Sequence, residues 1–306
     1  MTRRERQQRS RRGNVRACAL GLAGAIVLAV PLARGASPSA DPGRAAVEID
    51  VTARRIQPGE LVVLTVDAPA DVESVQVRVF GHDIEPFPIA GGRWRALVGI
   101  DLDVKTGPHV VTVDAGDARA TRTLHVLPKS FPTRRLTVDP DFVTPPPSAT
   151  ERIERDQQLL AKAWQSSAAT RLWAEPFARP VAEVANSAFG TRSIFNGLPR
   201  NAHGGADFLS PAGTPVKAPN SGRILIAQDL YFSGNTVVID HGLGLFSLLA
   251  HLSLIEVREG DRVAVGQVVG KVGATGRVTG PHLHWAVRLN GARVDPLSLL
   301  ALLGRS

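Results

Sequence analysis

Five of the eight histidines in this 306-residue chain fall within residues 203–284, and their spacing is what first points to chemistry. The first segment is His203-Gly204-Gly205-Ala206-Asp207. Paired glycines disfavour a helix, and in an extended chain a spacing of four puts His203 and Asp207 on one face. The second is Pro281-His282-Leu283-His284-Trp285, where a spacing of two on a strand again puts both imidazoles on one face. If the two strands are neighbours, three or four nitrogen and oxygen donors converge. Two histidines and one carboxylate with a fourth position open is the donor set of a catalytic zinc. Spacing alone does not choose between His282 and His284 as the ligand. A non-haem iron triad uses similar donors but would place its first histidine and carboxylate two apart, not four. Cys18 is the only cysteine, so a thiolate-held structural zinc and a disulfide scaffold are both excluded.

His251, in Leu249-Ala250-His251-Leu252-Ser253, would be a structural histidine if it stood alone, but it lies in the same short stretch as the donor cluster. His241, in Asp240-His241-Gly242-Leu243-Gly244, reads as part of a hairpin turn with a structural role. His82, His109 and His125 show no ligand spacing and read as strand or loop residues.

The elements that must hold these residues are mostly strands. Val216–Ala218, Gly222–Ala227, Thr236–Asp240, Phe246–His251, Gln267–Val272 and His284–Leu289 are short apolar runs separated by glycine-rich turns. They predict an all-β domain of about 120 residues over 177–300. Upstream, residues 45–128 show six or seven short runs parted by Pro58-Gly59, Gly91-Gly92 and Gly107-Pro108, which predicts an immunoglobulin-like β-sandwich. Residues 129–176 read as a linker carrying a helix over about 149–167: Ile153, Leu160, Ala163 and Trp164 recur at helical spacing, and Ser148-Ala149-Thr150-Glu151 reads as a capping box. Residues 171–202 read as irregular. The expected fold class is therefore all-β in the main: a sandwich, a connecting helix and a C-terminal antiparallel β domain.

Apolar residues make up 43% and charged residues 21%, which excludes a mainly disordered chain. The net charge of +8 looks like a nucleic-acid binder until it is located. Residues 1–35 hold eight arginines and one glutamate, or +7, so the body is nearly neutral and no nucleic-acid partner is expected. That same stretch, a basic segment followed by the apolar run Ala17–Leu32 and the small residues Ala33 and Gly35, reads as an export signal, or as an uncleaved anchor if it is retained. Residues 36–44 read as a linker. The body is expected outside the cytoplasmic membrane, in the periplasm or cell envelope, touching the membrane only through residues 17–32.

Over residues 177–297 the chain resembles the LytM/lysostaphin type of zinc metalloendopeptidase. The resemblance rests on Phe189-Gly190-Thr191-Arg192, His203–Asp207, Gly213-Thr214-Pro215-Val216, Ser233-Gly234-Asn235, His251-Leu252-Ser253, the Glu259-Gly260-Asp261-Arg262-Val263 and Gly266-Gln267 phrases, and Thr275-Gly276 through Gly280-Pro281-His282-Leu283-His284-Trp285. It implies a duplicated-hybrid or barrel-sandwich fold and one zinc per chain held by His203, Asp207 and His284. It also implies that His251 and His282 are a catalytic pair beside the metal, orienting a water activated by zinc and moving its proton. The implied substrate is peptidoglycan, cut at peptide bonds of its cross-links or stem peptides. Where the family carries a tyrosine two residues before His-Leu-Ser, this chain has Leu249, and Tyr231 is its only tyrosine.

Two other functions fit parts of the pattern. Some relatives have lost their ligands and act as wall-binding regulators that activate another hydrolase through a protein partner, but here every expected donor is present. A biotinyl- or lipoyl-type carrier shares the Gly260-Asp261-Arg262-Val263 phrase, but would show its lysine at a hairpin tip beside methionine. Lys271 lies inside an apolar run, and the only methionine is Met1.

Overall fold

The computed structural model describes residues 46–137, 144–174, 176–187 and 189–304. The expected export segment and the 36–44 linker lie outside the described residues. Among the described residues no helix is long and apolar enough to cross a membrane.

Eight strands form the first part: β1 Glu48–Ala53, β2 Leu61–Asp67, β3 Val75–Val79, β4 His82–Ile84, β5 Phe87–Pro88, β6 Arg93–Gly99, β7 Gly107–Ala115 and β8 Ala118–Val126. They make two antiparallel sheets, ordered β1-β2-β6-β5 and β4-β3-β7-β8, around one core. The strands β4 and β5, too short to show a period, were not among the expected runs.

In β2 the run Leu61-Val62-Val63-Leu64 is continuous rather than alternating, and the structure shows why. Val62, Leu64 and Val66 face the sandwich core with Val98, Val113 and Leu124. Leu61 and Val63, with Leu97 and Phe87, face a second core shared with Phe177, Trp285, Val294 and Leu299. Both faces of one strand are therefore buried, as continuous apolar runs imply. All of this lies in one compact unit, Arg44–Ser306.

The described parts of the connecting segment are packed against the rest of the chain. A strand β9, Thr133–Leu136, precedes helix α1, Thr150–Trp164. Leu159, Leu160, Ala163 and Trp164 of α1 pack on Ile226, Val238 and Leu248. The expected capping box is absent. The residue preceding α1 is Ala149, in helical conformation, with no side-chain cap. Pro147–Ala149 form a 3-10 turn that runs into the helix, and the Pro146 and Pro147 carbonyls take the Ala149 and Thr150 amides. Ser148 thus lies inside the turn, where it cannot act as the cap.

The remaining strands are β10 Ala185–Ser187, β11 Arg192–Phe195, β12 Leu198–Pro199, β13 Gly205–Phe208, β14 Pro215–Lys217, β15 Gly222–Leu230, β16 Gly234–Gly242, β17 Leu245–Ile255, β18 Arg262–Val263, β19 Val268–Val272, β20 Leu283–Leu289 and β21 Ala292–Val294. Helix α2, Pro296–Leu303, ends them, with the Asp295 carboxylate accepting from the Leu297 amide. One ten-stranded sheet runs β10-β13-β20-β17-β16-β15-β18, with β14, β19 and β21 attached and every pairing antiparallel. The stretch 171–202, expected to be irregular, contains β10, β11 and β12. Its β11 pairs in parallel with β9 from the connecting segment, a long-range contact that no local pattern announces.

Candidate metal centre

Three neighbouring strands place the donors. On β13 and β20, Asp207 lies opposite His284, and on β17, Ala250 lies opposite His284 from the other side. Directly paired residues share a face of a sheet, so Asp207 and His284 point the same way, with His282 two residues before His284. His203 precedes β13, and its amide donates to the Thr191 carbonyl while its own carbonyl accepts from the Gly190 amide, 2.9 and 2.8 Å. That exchange ties the Phe189-Gly190-Thr191 phrase to the first histidine.

Three atoms converge. His203 Nε2 is 3.0 Å from Asp207 Oδ1 and 3.1 Å from His284 Nδ1, and His284 Nδ1 is 2.8 Å from Asp207 Oδ1. Each imidazole nitrogen carries at most one hydrogen, which cannot point at two partners at once. Three mutual contacts therefore cannot all be hydrogen bonds, whereas a cation between them engages all three lone pairs. Among the described residues this is the one cluster of His, Cys, Asp and Glu side chains able to hold a metal. Burial opposes ionisation of Asp207, but hydrogen bonds from His203 and His284 outweigh it and hold the carboxyl well below its usual range. Burial also pushes His284 down, towards the neutral form that binds metals.

Glycine at 205 is required by close approach. A Cβ there would fall on the Trp285 carbonyl oxygen and 2.8 Å from His284 Cε1. The His-Gly-Gly phrase thus leaves room for the imidazole opposite, a role beyond disfavouring helix.

His251 and His282 stand beside this triad. Their rings are 4.8 Å apart, and the His251 ring is 6.0 Å from that of His284. His282 Nε2 is 3.9 Å from Asp207 Oδ1. Each directs Nδ1 at a backbone carbonyl: His251 at Thr275, 3.0 Å, and His282 at Gly280, 2.9 Å. A carbonyl only accepts, so Nδ1 carries a hydrogen in both rings, and in a neutral imidazole Nε2 then holds the lone pair. Burial, then the neighbouring His284 and His282, lowers His251 to about 3, which keeps it neutral at ordinary pH.

His251 has φ of +65°, a left-handed conformation that is uncommon for a side chain with a Cβ. Its surroundings hold it there. The His251 amide donates to the Ser233 carbonyl, and Thr275 Oγ1 accepts from the Asn235 amide and donates to the Leu252 carbonyl. Gly234, φ +61°, lets Thr275 approach closely, since a Cβ there would overlap Thr275. The Ser-Gly-Asn and Thr-Gly phrases of the sequence are thereby explained: they clamp His251. Strain kept by such over-determination clusters at working sites. Thr275 was not singled out by sequence reasoning, and its position in the Thr-Gly phrase was the available signal.

His241 is placed apart from the cluster. It is buried, with Nδ1–H donating to the Ser221 carbonyl at 2.8 Å and Nε2 accepting from Ser247 Oγ at 3.0 Å. Ser247 Oγ in turn accepts from Trp285 Nε1 at 3.1 Å. The chain of bonds anchors Trp285, the residue after His284, from the core side. Burial lowers His241 to about 4. The Tyr231 amide donates to the Asp156 carboxylate, and the Tyr231 ring lies edge-on to Phe232.

The family model for peptidase family M23 matches residues 201–296. A crystal structure from Pseudomonas aeruginosa, assigned to peptidase M23, is 33% identical and superposes with a TM-score of 0.64, covering 81% of this chain and 95% of that one. The chain belongs to peptidase family M23. Over the M23 region it is 46% identical across 97 residues to the DD-carboxypeptidase/endopeptidase Mpg of Neisseria meningitidis, and 42% identical across 95 residues to the peptidoglycan DD-endopeptidase ShyA of Vibrio cholerae. Those matches cover 32% and 31% of this chain and 22% of each relative, so the likeness to them is confined to the M23 region.

Proposed function

We propose that this M23 chain is a zinc metalloendopeptidase that hydrolyses peptide bonds of peptidoglycan. The observation that carries the reading is the convergence of His203 Nε2, Asp207 Oδ1 and His284 Nδ1 beside two histidines whose Nδ1 atoms are each held by a backbone carbonyl. His203, Asp207 and His284 hold the metal, one ion per chain. Zinc bound there supplies Lewis acidity, polarising a carbonyl and making water a nucleophile near neutral pH.

The protein groups do the rest. His251 and His282 accept hydrogen bonds from the attacking water through Nε2, fix its direction, take its proton and return one to the departing amine. Their Nδ1–H bonds to Thr275 and Gly280 keep both rings in the tautomer this requires. As a positive charge develops on either ring, the carbonyl at Nδ1 stabilises it. The neutral state of His251 leaves its lone pair available to the water.

The names of the relatives support peptidoglycan as substrate, and an arginine-rich, apolar N-terminus supports delivery outside the cytoplasmic membrane. We read the strand order of β1–β8 as an immunoglobulin-like sandwich over 45–128, followed by the connecting segment 129–176 and the peptidase domain 177–300. The test is digestion of purified sacculi by the zinc-loaded protein, with mass spectrometry of the released fragments. New amino termini at a peptide bond, absent with His284→Ala, are expected. Intact sacculi with a fully loaded metal site would overturn the reading and favour a wall-binding regulator.

A further inference from the structure

The first metal donor is held from outside the peptidase strands, by the segment that leaves the sandwich. Lys129 begins that segment, with its ammonium 3.3 Å from Oε1 of Glu60, a buried carboxylate just before β2. The same ammonium lies 5.2 Å from the centre of the Phe131 ring. Phe131 in turn rests on Gly190: a Cβ on that glycine would overlap Cδ1 and Cε1 of the ring. Gly190, φ +80°, is the residue whose amide donates to the His203 carbonyl, while the Thr191 carbonyl accepts from the His203 amide. Directly afterwards the Arg192 amide donates to the Pro132 carbonyl at 2.8 Å, and β9 and β11 run in parallel from Thr133 and Arg192. Arg134 Nε donates to Ser193 Oγ across the same pair at 2.8 Å. One residue before Gly190, Phe189 packs on Gly59, in the connection between β1 and β2, where a Cβ would overlap its ring.

Of the three proposed ligands, His203 is the one outside the strands. Asp207 and His284 are set by the β13–β20 ladder, whereas the His203 backbone is tied to residues 190–191. Close packing passes a displacement of one neighbour on to the next. A ligand set works only while its donors are held to within about 0.5 Å. We propose that Phe131 is a positioning residue for His203: its ring fixes Gly190, Gly190 fixes the His203 backbone, and the segment leaving the sandwich thereby completes the metal site. This rests on the ligand assignment above and adds to it a residue that the peptidase strands do not contain. Phe131 is not itself a donor; it acts through His203.

The experiment measures zinc dissociation constants on the full chain, by competition with a chelator. Phe131→Ala is made alone and in the His203→Ala and Asp207→Ala backgrounds. Alone it should bind zinc at least tenfold more weakly than the wild type, the loss expected when a ligand's support is removed. The same loss should recur in Asp207→Ala, where His203 still ligates, and shrink below threefold in His203→Ala, where nothing is left to position. A ring that merely stabilised the fold would weaken zinc binding alike in both backgrounds, so equal losses there overturn the proposal. Native zinc affinity in Phe131→Ala overturns it too. Circular dichroism at the titration temperature identifies folded protein. If Phe131→Ala is unfolded there, Phe131→Leu carries the same cycle. A loss of at least threefold that disappears in His203→Ala is then expected, and any other pattern overturns the proposal. The ligand assignment is judged separately. His203→Ala with native zinc affinity sinks that assignment, whereas zinc lost from His203→Ala but kept by Phe131→Ala sinks only the role of Phe131.

Discussion

Asp207 faces His284 directly across the β13–β20 ladder, and the contact between their facing donor atoms is fixed by backbone register rather than by a loop. Two-thirds of the proposed ligand set is therefore built by strand pairing alone. His203→Ala, Asp207→Ala and His284→Ala should each weaken zinc binding by about 100-fold or more while the sheet stays folded. Competition with a chelator of known affinity measures this. Full occupancy of Asp207→Ala at low free zinc would reject the site.

His251→Ala and His282→Ala should keep zinc and lose rate. A fall of about two to four orders of magnitude is the scale for a group that moves a proton. The contrast between His282 and His284, two residues apart on one face, is the sharp part: if His282→Ala releases the metal and His284→Ala retains it, the roles are exchanged.

Gly205→Ala is a one-carbon test of geometry. The added methyl meets the Trp285 carbonyl and the His284 ring, so β13 and β20 must part or the imidazole must turn. Zinc affinity should fall by about tenfold or more, on the scale of losing a group that orients a ligand. An alanine variant with native zinc affinity and native turnover would show that the ring has slack.

His241 sets part of the acid stability. Its folded value, about 4, lies below the ordinary 6.5, so the unfolded chain binds the extra proton first. The stabilisation is fully present above pH 6.5 and is lost as pH falls towards 4. At 1.36 kcal/mol per unit the whole span is about 3 kcal/mol. Between pH 7 and 4.5 the zinc-free wild type should lose about 2–3 kcal/mol more than His241→Gln, read from urea unfolding. Parallel pH profiles would mean that His241 is not held neutral.

Spacing on strands made the donor cluster legible before any coordinates. His203, Asp207, His282 and His284 each sit an even number of residues from a partner, so one face collects them whatever the wider fold. Spacing left His282 and His284 both open; the family resemblance named His284, and His284 is the one that pairs with Asp207 across the β13–β20 ladder. His251 was harder, because its left-handed backbone and the Thr275 clamp come from turns that pack only after distant strands have paired. The capping box failed for a local reason: three prolines start a tight turn early and carry Ser148 inside it. The parallel pairing of β9 with β11 joins residues almost sixty apart and leaves no periodic trace in either.

Leu61 belongs to the shared core although it lies in the first sandwich. Leu61→Ala should cost about 2–5 kcal/mol, the range for a buried leucine, and lower the unfolding midpoint of the peptidase half with it. Two separate transitions, with the second unmoved, would show that the halves unfold independently.

That same strand has a consequence for the order of synthesis. The sandwich has all its strands once Val126 has emerged, but Leu61, Val63, Phe87 and Leu97 wait for a wall that ends at Leu299. At about 5–20 residues per second, the roughly 170 residues between them take on the order of ten to thirty seconds. For that interval a finished sheet shows an oily outer face, the kind of surface that holdase chaperones cover. Truncation before Leu299 makes the interval permanent, so prematurely ended chains should be the aggregating ones.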